Sequence, residues 1–246
     1  MTEGLHRARG LVAGAESALA FTGAGMSTAS GVPDFRTPGG IWSRFKPVPF
    51  QEFVADPEAR RRYWHNRREI YPDIARAKPN AGHRALAAAE EAGRLRGVIT
   101  QNIDGLHQDA GSRFVLELHG NTRRVACLRC RAEWPADEIH ARLADGCEVP
   151  ECDRCGGILK AATVSFGQAL PEDVLKAAFL AAATADVLLV LGSSLVVHPA
   201  ASIPIAAAQA GARLVIVNRE PTPLDGLAEV VLREPLEDVL PALLPA

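Results

Sequence analysis

Residues 18–25 read Ala-Leu-Ala-Phe-Thr-Gly-Ala-Gly, a short apolar run that ends in Thr22 and breaks on Gly23-Ala24-Gly25. A run this short and continuous has the character of a strand covered on both faces, not of an alternating, half-exposed one. The pattern recurs. Arg96–Thr100 leads into Gln101-Asn102, and Phe114–Leu118 into His119-Gly120. Asp186–Leu191 leads into Gly192-Ser193-Ser194, and Arg213–Val217 into Asn218. Between these runs lie stretches with helical signals. Leu5–Glu16 spaces Leu5, Ala8, Val12 and Ala15 at three or four residues. His83–Leu95 follows Asn80, a candidate cap. Glu172–Ala183 follows Pro171 and opens with two acids that complement the helix dipole, and Ser202–Gln209 ends at Gly211. This alternation predicts an α/β fold with a doubly wound, mostly parallel, Rossmann-like sheet. Ligands of such sheets sit at the carboxyl ends of the strands, where the glycines and polar clusters fall.

Two stretches break the alternation. Gly31–Lys78 is rich in Pro, Arg and aromatic residues and predicts a long loop running into helices; Asn121–Ala162 holds all five cysteines and little apolar periodicity. The predicted division is a large domain of residues 1–35, 81–120 and 163–246, with a smaller lobe made of a helical insert, 36–80, and a zinc-binding module, 121–162. Cys127-x-x-Cys130 and Cys152-x-x-Cys155 are two knuckles whose thiolates converge on a tetrahedral zinc ion. Their separation is slightly above the usual zinc-ribbon range. Four thiolates close the coordination shell, so the zinc is structural, with no position for a catalytic water. The competing reading is two pairs of buried or redox-active thiols. Cys147 is a poorer substitute for Cys152 as ligand and reads as a free thiol.

With 246 residues, 48% of them hydrophobic, the chain can bury a full core. A net charge of −2 argues against a dedicated nucleic-acid binder. The run Arg60-Arg61-Arg62, followed by Arg67 and Arg68, reads as a solvated helix face. No apolar stretch reaches the ~18 residues that a membrane-spanning helix needs. Arg7 and Arg9 precede a stretch resembling a signal peptide. Glu16 interrupts it, and cleavage near Ala24 would cut the glycine motif, so the expected compartment is the cytoplasm.

As a dinucleotide fingerprint, strand–Gly23-Ala24-Gly25–helix is partial. It suits a phosphate held at a helix N-terminus, but the third glycine position is Thr28, and no acidic residue stands at the end of a second strand. An ordinary tight turn is the alternative. Ser27 and then Ser30-Gly31-Val32-Pro33-Asp34-Phe35-Arg36 are more distinctive: small residues permit close backbone approach, Arg36 can pair with phosphate, and Phe35 can cover a flat ring.

Taken in order, GAGMSTASGVPDFR (23–36), TQNID (100–104), LHG (118–120), the paired knuckles, SFG (165–167), GSSL (192–195) and VIVN (215–218) resemble the sirtuins, from about residue 18 to the C-terminus. The chain is similar to a compact bacterial-type member. That resemblance implies an NAD-dependent protein lysine deacylase, mainly a deacetylase, with NAD as co-substrate and structural Zn2+. In this chemistry the acyl oxygen attacks the ribose carbon as nicotinamide leaves. A base then activates a ribose hydroxyl, which takes the acyl group to give free lysine and O-acyl-ADP-ribose. His119 matches the base, and an ordinary imidazole pKa of ~6.5 suits that task. Asn102 and Asp104 match residues that bind the ribose and carboxamide, with Gln101 and Ile103 completing the wall. Ala24, Phe35 and Arg36 are implied contacts of the nicotinamide ribose and phosphates; Gly23, Gly25, Ser27, Asp34 and Trp42 join the cofactor set. Gly192, Ser193, Ser194, Asn218, Arg219 and Glu220 lie along the implied adenosine half, and Leu236 makes a late adenine contact.

By the same resemblance, an acyl-lysine protein or peptide enters as an extended strand between the Ser165–Gly167 loop and Val196-Val197, touching Val164, Phe166 and Gly167. Gln168 stands where the family more often has Glu, which weakens any preference for basic flanks. Members that remove succinyl or malonyl groups carry Tyr-x-x-Arg in the helical insert. Here Trp64-x-x-Arg67 takes that place and is the expected acyl contact, so acetyl is expected to be favoured over acidic acyl groups. No nucleic acid or membrane partner is expected, and a monomer is the working expectation. Protein ADP-ribosylation, plain NAD hydrolysis, or a desuccinylase or demalonylase preference would use the same site. A non-enzymatic zinc-ribbon module fits the acidic balance poorly.

Overall fold

The computed structural model describes residues 2–34 and 40–244. Thr2 caps the first helix, α1 (Glu3–Ala13), its side chain accepting from the N–H of Leu5. The chain then enters β1 (Ala18–Thr22), buried along its whole length. No α-helix follows the glycine turn. Two 3₁₀ turns, Ala24–Met26 and Thr28–Ser30, occupy that stretch, and Gly31 ends the second at φ 80°. The expected helix N-terminus behind the glycines is therefore replaced by a tight loop. The insert forms α2 (Ile41–Arg44), α3 (Phe50–Ala55) and the long α4 (Pro57–Arg76), capped by Asp56 and started by Pro57. Asn80 then caps α5 (Ala81–Glu91).

β2 (Val98–Thr100), α6 (Leu106–Asp109) and β3 (Val115–Glu117) complete the first half of the main sheet. The zinc-lobe elements are β4 (Gly120–Cys127), β5 (Glu133–Pro135), α7 (Ala136–Ala144) and β6 (Leu159–Thr163). The chain returns through α8 (Glu172–Ala183), β7 (Val187–Leu191), α9 (Ser202–Gln209), β8 (Arg213–Val217), β9 (Ala228–Leu232) and α10 (Leu236–Leu243).

Among the described residues six parallel strands form one sheet in the order β3-β2-β1-β7-β8-β9, while β4, flanked by β5 and β6, forms an antiparallel sheet. Alternate residues of the central strands serve opposite faces. Ala18, Ala20, Leu189 and Val215 pack under α1, α5 and α10, whereas Leu19, Phe21, Leu188 and Ile216 pack under α8 and α9. The crossover after β1 thus lies on one face and the crossover after β7 on the other. The two strands are neighbours, so a crevice opens between their ends. A third core joins α4 to the zinc lobe through Trp64, Tyr71, Val125, Ile139 and Leu159. No helix among the described residues is long and apolar enough to cross a membrane.

Candidate functional site

The crevice is lined by backbone held unusually close. Gly23 N–H donates to Leu191 O and Gly25 N–H to Gly192 O, both at 2.9 Å. A Cβ on Gly192 would lie 2.6 Å from the backbone nitrogen of Met26 and 2.7 Å from the carbonyl carbon of Gly25, and its φ is 61°. Glycine is required there on both counts. A cavity of about 1090 Å³ opens from this point and runs between the sheet and the small lobe. That is the upper end of the ~300–1,000 Å³ usual for ligand sites, with room for a dinucleotide and an acyl-lysine side chain together.

Of the expected cofactor residues, Gly23, Ala24, Gly25 and Asp34 line one wall, and Gln101, Asn102 and Ile103 the next. Gly192, Ser193 and Ser194 face them, and Asn218, Arg219, Glu220 and Leu236 close the far end. Gln101 ties two strand ends together, its amide donating to Ser193 Oγ at 2.7 Å. The Asn102 amide donates to Gly23 O at 3.0 Å and to Ser27 Oγ at 3.2 Å. Ser27 and Asp104 stand behind the wall. Asp104 is 3% exposed and accepts from Ser27 Oγ at 2.7 Å and from Leu106 N–H at 2.9 Å. Burial raises its pKa above the ordinary carboxyl value, and these two donors only partly oppose that rise. Phe35, Arg36 and the side chain of Trp42 lie outside the described residues.

His119 lies on the cavity wall, where the main sheet passes into the zinc lobe. Its Nδ1 is 2.8 Å from Gln101 O. A carbonyl only accepts, so Nδ1 carries the proton in the neutral ring and Nε2 holds the lone pair. The next residue, Gly120, has φ 71°, and a Cβ there would sit 2.1 Å from Ala162 O. The corner brings β4 and β6 together, with Val164 N–H donating to His119 O at 2.8 Å.

Of the expected peptide contacts, Val164, Phe166, Gly167 and Val197 line the cavity. Phe166 is 47% exposed, and its carbonyl accepts from Phe50 N–H at 2.9 Å. Val196 does not face the cavity and is 54% exposed. The expected Trp64-x-x-Arg67 pair is replaced by Tyr63 and Arg67 on the wall. One residue along a helix turns the side chain by ~100°, which carries Trp64 into the small-lobe core at 1% exposure. Arg67 donates from Nη1 to Thr122 Oγ1 at 2.7 Å and from Nη2 to Thr122 O at 2.5 Å. Lys160 is buried nearby, with Nζ donating to Thr163 O and, at 3.4 Å, to Ala161 O. Burial, with help from Arg67, pushes its pKa down to about 8. The i,i+4 spacing of Tyr63 and Arg67 was the available signal for this face. Arg233, which bonds Asn218 O at 2.8 Å and Glu220 O at 3.0 Å and so braces the loop after β8, had none.

The sulfurs of Cys127, Cys130, Cys152 and Cys155 all lie within 4.8 Å of one another. Cys127–Cys155 and Cys130–Cys152 are each 3.6 Å apart, far beyond the ~2.05 Å of a disulfide. Zn–S bonds of ~2.3 Å in a tetrahedron place sulfurs ~3.8 Å apart, so the cluster fits zinc. Cys127 Sγ accepts N–H bonds from Arg129 at 3.4 Å and Cys130 at 3.5 Å, as a metal-bound thiolate requires. Cys147 stays outside the cluster.

A family model described as the Sir2 family matches residues 23–199. The chain is 45% identical to NAD-dependent protein deacetylase 1 of Bradyrhizobium diazoefficiens, over 98% of this chain and 95% of that one. It is 48% identical to NAD-dependent protein deacetylase 2 of Streptomyces coelicolor, over 91% and 94%. Among solved structures, a Sir2 bound to deacetylated p53 peptide and 3′-O-acetyl-ADP-ribose superposes with TM-score 0.90 at 37% identity, covering 97% of this chain and 96% of that one. Sir2Tm bound to a propionylated peptide gives 0.88 at 36% identity, covering 96% and 95%.

Proposed function

The chain belongs to the Sir2 family, and on that premise we propose His119 as the general base of an NAD-dependent protein lysine deacetylase. The reaction consumes NAD and one water per acetyl-lysine and yields free lysine, nicotinamide and O-acetyl-ADP-ribose. NAD, when bound, supplies a nicotinamide–ribose bond whose cleavage makes ADP-ribose the acyl acceptor. The observation that carries the assignment is the 2.8 Å bond from Nδ1 to Gln101 O, which leaves Nε2 as the nitrogen able to take a proton from a ribose hydroxyl. Asn102 and Ile103 hold the nicotinamide end, with Asp104 and Ser27 fixing Asn102 from behind. Ser193, Asn218 and Glu220 hold the adenosine end, and Glu220 adds a carboxylate suited to ribose hydroxyls. The close-packed glycine loops support this arrangement by letting a dinucleotide approach the backbone.

The acylated peptide adds as a strand between Phe166-Gly167 and Val197, with its acyl group directed toward Thr163 and Tyr63. Acetyl ranks above succinyl because the two terminal guanidinium nitrogens of Arg67 already donate to Thr122. We assign residues 1–35, 81–120 and 163–246 to the NAD-binding domain and 36–80 with 121–162 to the small lobe; membership of the two sheets supports those boundaries. We also place the protein in the cytoplasm, where a four-thiolate site stays reduced. His119→Ala is expected to abolish O-acetyl-ADP-ribose formation while NAD affinity, measured by calorimetry, stays within about threefold. Retained turnover in that variant would overturn the base assignment. Parallel turnover of acetyl-, succinyl- and crotonyl-lysine peptides tests the ranking, and faster succinyl turnover reverses it.

A further inference from the structure

Behind the wall that carries Gln101 lies a buried polar chain that none of the roles above employs. Thr22 and Thr100 end adjacent strands and are paired in register. The Thr22 hydroxyl donates to Thr100 Oγ1 at 2.7 Å, and Thr100 Oγ1 accepts the N–H of Asn102 at 3.0 Å. Thr22 Oγ1 also lies 3.0 Å from Nε2 of His107. All three side chains are shut away from solvent, at 0%, 2% and 1% exposure for Thr22, Thr100 and His107. Burial, and behind it the neighbouring His83, pushes the His107 pKa down to about 3, so the ring is neutral with one N–H. With the Thr22 proton given to Thr100, that N–H is on Nε2 and donates to the Thr22 oxygen. The other ring nitrogen has no hydrogen-bond partner among the described residues. Among the described residues, Thr22 therefore makes the hydrogen bond that anchors the ring.

The geometry matters because of one peptide plane. The N–H of Asn102 and the C=O of Gln101 belong to the same rigid trans unit and point in opposite directions. One end is fixed by Thr100 Oγ1 and the other accepts His119 Nδ1 at 2.8 Å. A rotation of this plane moves the carbonyl that selects the His119 tautomer. We propose that His107, Thr22 and Thr100 form a positioning chain for His119, acting through the Gln101–Asn102 peptide plane. The proposal rests on His119 being the general base. None of the three side chains lines the cavity, so they are positioning residues.

Paired substitutions separate this role from packing. Thr100→Val keeps the shape and removes the acceptor; Thr100→Ser keeps the acceptor and loses a methyl group. The positioning role has Thr100→Val lowering kcat by about tenfold or more with the NAD KM changed by less than about threefold. The acid limb of its kcat/KM pH profile moves, and Thr100→Ser stays within about threefold of wild type. In ¹⁵N spectra of labelled protein, His119 shifts from one tautomer with the proton on Nδ1 to a mixture in Thr100→Val. A Val variant with wild-type kcat and pH profile, or a Ser variant as impaired as Val, overturns the proposal. Should Thr100→Val fail to fold by thermal melt, Thr22→Val and Thr22→Ser carry the same test one bond further back, with the same directions and a smaller effect. His119→Ala, run in parallel, keeps the two readings apart. Retained turnover there removes the base assignment itself, whereas an inert His119→Ala beside an unchanged Thr100→Val removes only the positioning chain.

Discussion

Gly192→Ala tests whether the contact between the two glycine loops shapes the cofactor crevice. Two costs add at this residue. Its φ of 61° lies in the left-handed region, which costs an alanine roughly 1–2 kcal/mol. The added methyl would also stand 2.6 Å from Met26 N and 2.7 Å from the Gly25 carbonyl carbon, atoms of a backbone that cannot rotate away. Overpacking of this kind costs roughly 1–3 kcal/mol. The expected destabilisation is therefore about 2–5 kcal/mol, or a Tm lower by about 5–15 °C for a chain of this size. Relief of the overlap has to separate the loops after β1 and β7, so the NAD Kd should rise by about tenfold or more. Gly31→Ala supplies the control. It has a similar φ of 80° with no atom of the described residues within 4 Å of the new Cβ, so it pays for conformation alone. Differential scanning calorimetry and NAD titration of both variants read the two contributions separately. An equal Tm loss in both variants, with NAD affinity unchanged in Gly192→Ala, would refute the close-approach argument.

Trp64→Ala should lower stability by about 3–5 kcal/mol, because a core side chain is lost beside Val125 and Leu159, while the acetyl-to-succinyl turnover ratio stays unchanged. Trp64→Phe should cost far less, since the indole N–H it removes has no partner; a changed acyl ratio in either variant would return Trp64 to the acyl pocket. Asp186 accepts N–H bonds from Glu16 at 2.7 Å and Ser17 at 3.0 Å; burial acts to raise its pKa, but these donors and Arg213 outweigh it and hold the carboxyl below its ordinary value. Its contribution is thus present above the unfolded pKa of ~3.9 and lost as pH falls through the lower folded value. Asp186→Asn should melt below wild type at pH 7, with the gap closing as pH falls below the ordinary carboxyl range; a gap that persists in strong acid would contradict this. Removing zinc with a chelator should abolish deacetylation and red-shift tryptophan emission from the small lobe, with the parallel sheet still visible by circular dichroism and activity regained on adding zinc. Full activity in metal-stripped protein would show that the lobe does not depend on its ion.

Strands buried on both faces announce themselves, and β1 and β8 occur at the residues their apolar runs mark out. β9 does not. It is an edge strand of Ala-Glu-Val-Val-Leu, in which Glu229 turns outward to pair with Arg7, so no continuous run marks it. β4 is obscured differently. Arg123 and Arg124 lie in its middle, one holding Asp104 O and Asp109 and the other Glu133, and a strand so charged looks like a loop in sequence. At the site, resemblance supplied which residue types belong together, and periodicity alone did not. It could not settle the helix register at Tyr63 and Trp64, because both are aromatic and both are consistent with an amphipathic α4. Only the position of the zinc lobe decides which of the two is covered.

The same two strands join the zinc lobe to the corner at His119. β4 begins at Gly120, directly after His119, and ends at Cys127; β6 begins after the second knuckle and ends at Thr163, beside Val164 on the cavity wall. Gly120 pairs with Thr163, and Cys127 pairs with Leu159, so the cysteine end and the His119 end of the ladder are fixed by the same two strands. The left-handed Gly120, with Ala162 O only 2.1 Å from where a Cβ would be, lets them meet at the His119 end. A closed four-thiolate ion offers no open position for chemistry. Its cysteines stand at one end of the β4–β6 pair, whose register at the other end sets Val164 against His119, Val164 N–H donating to His119 O at 2.8 Å.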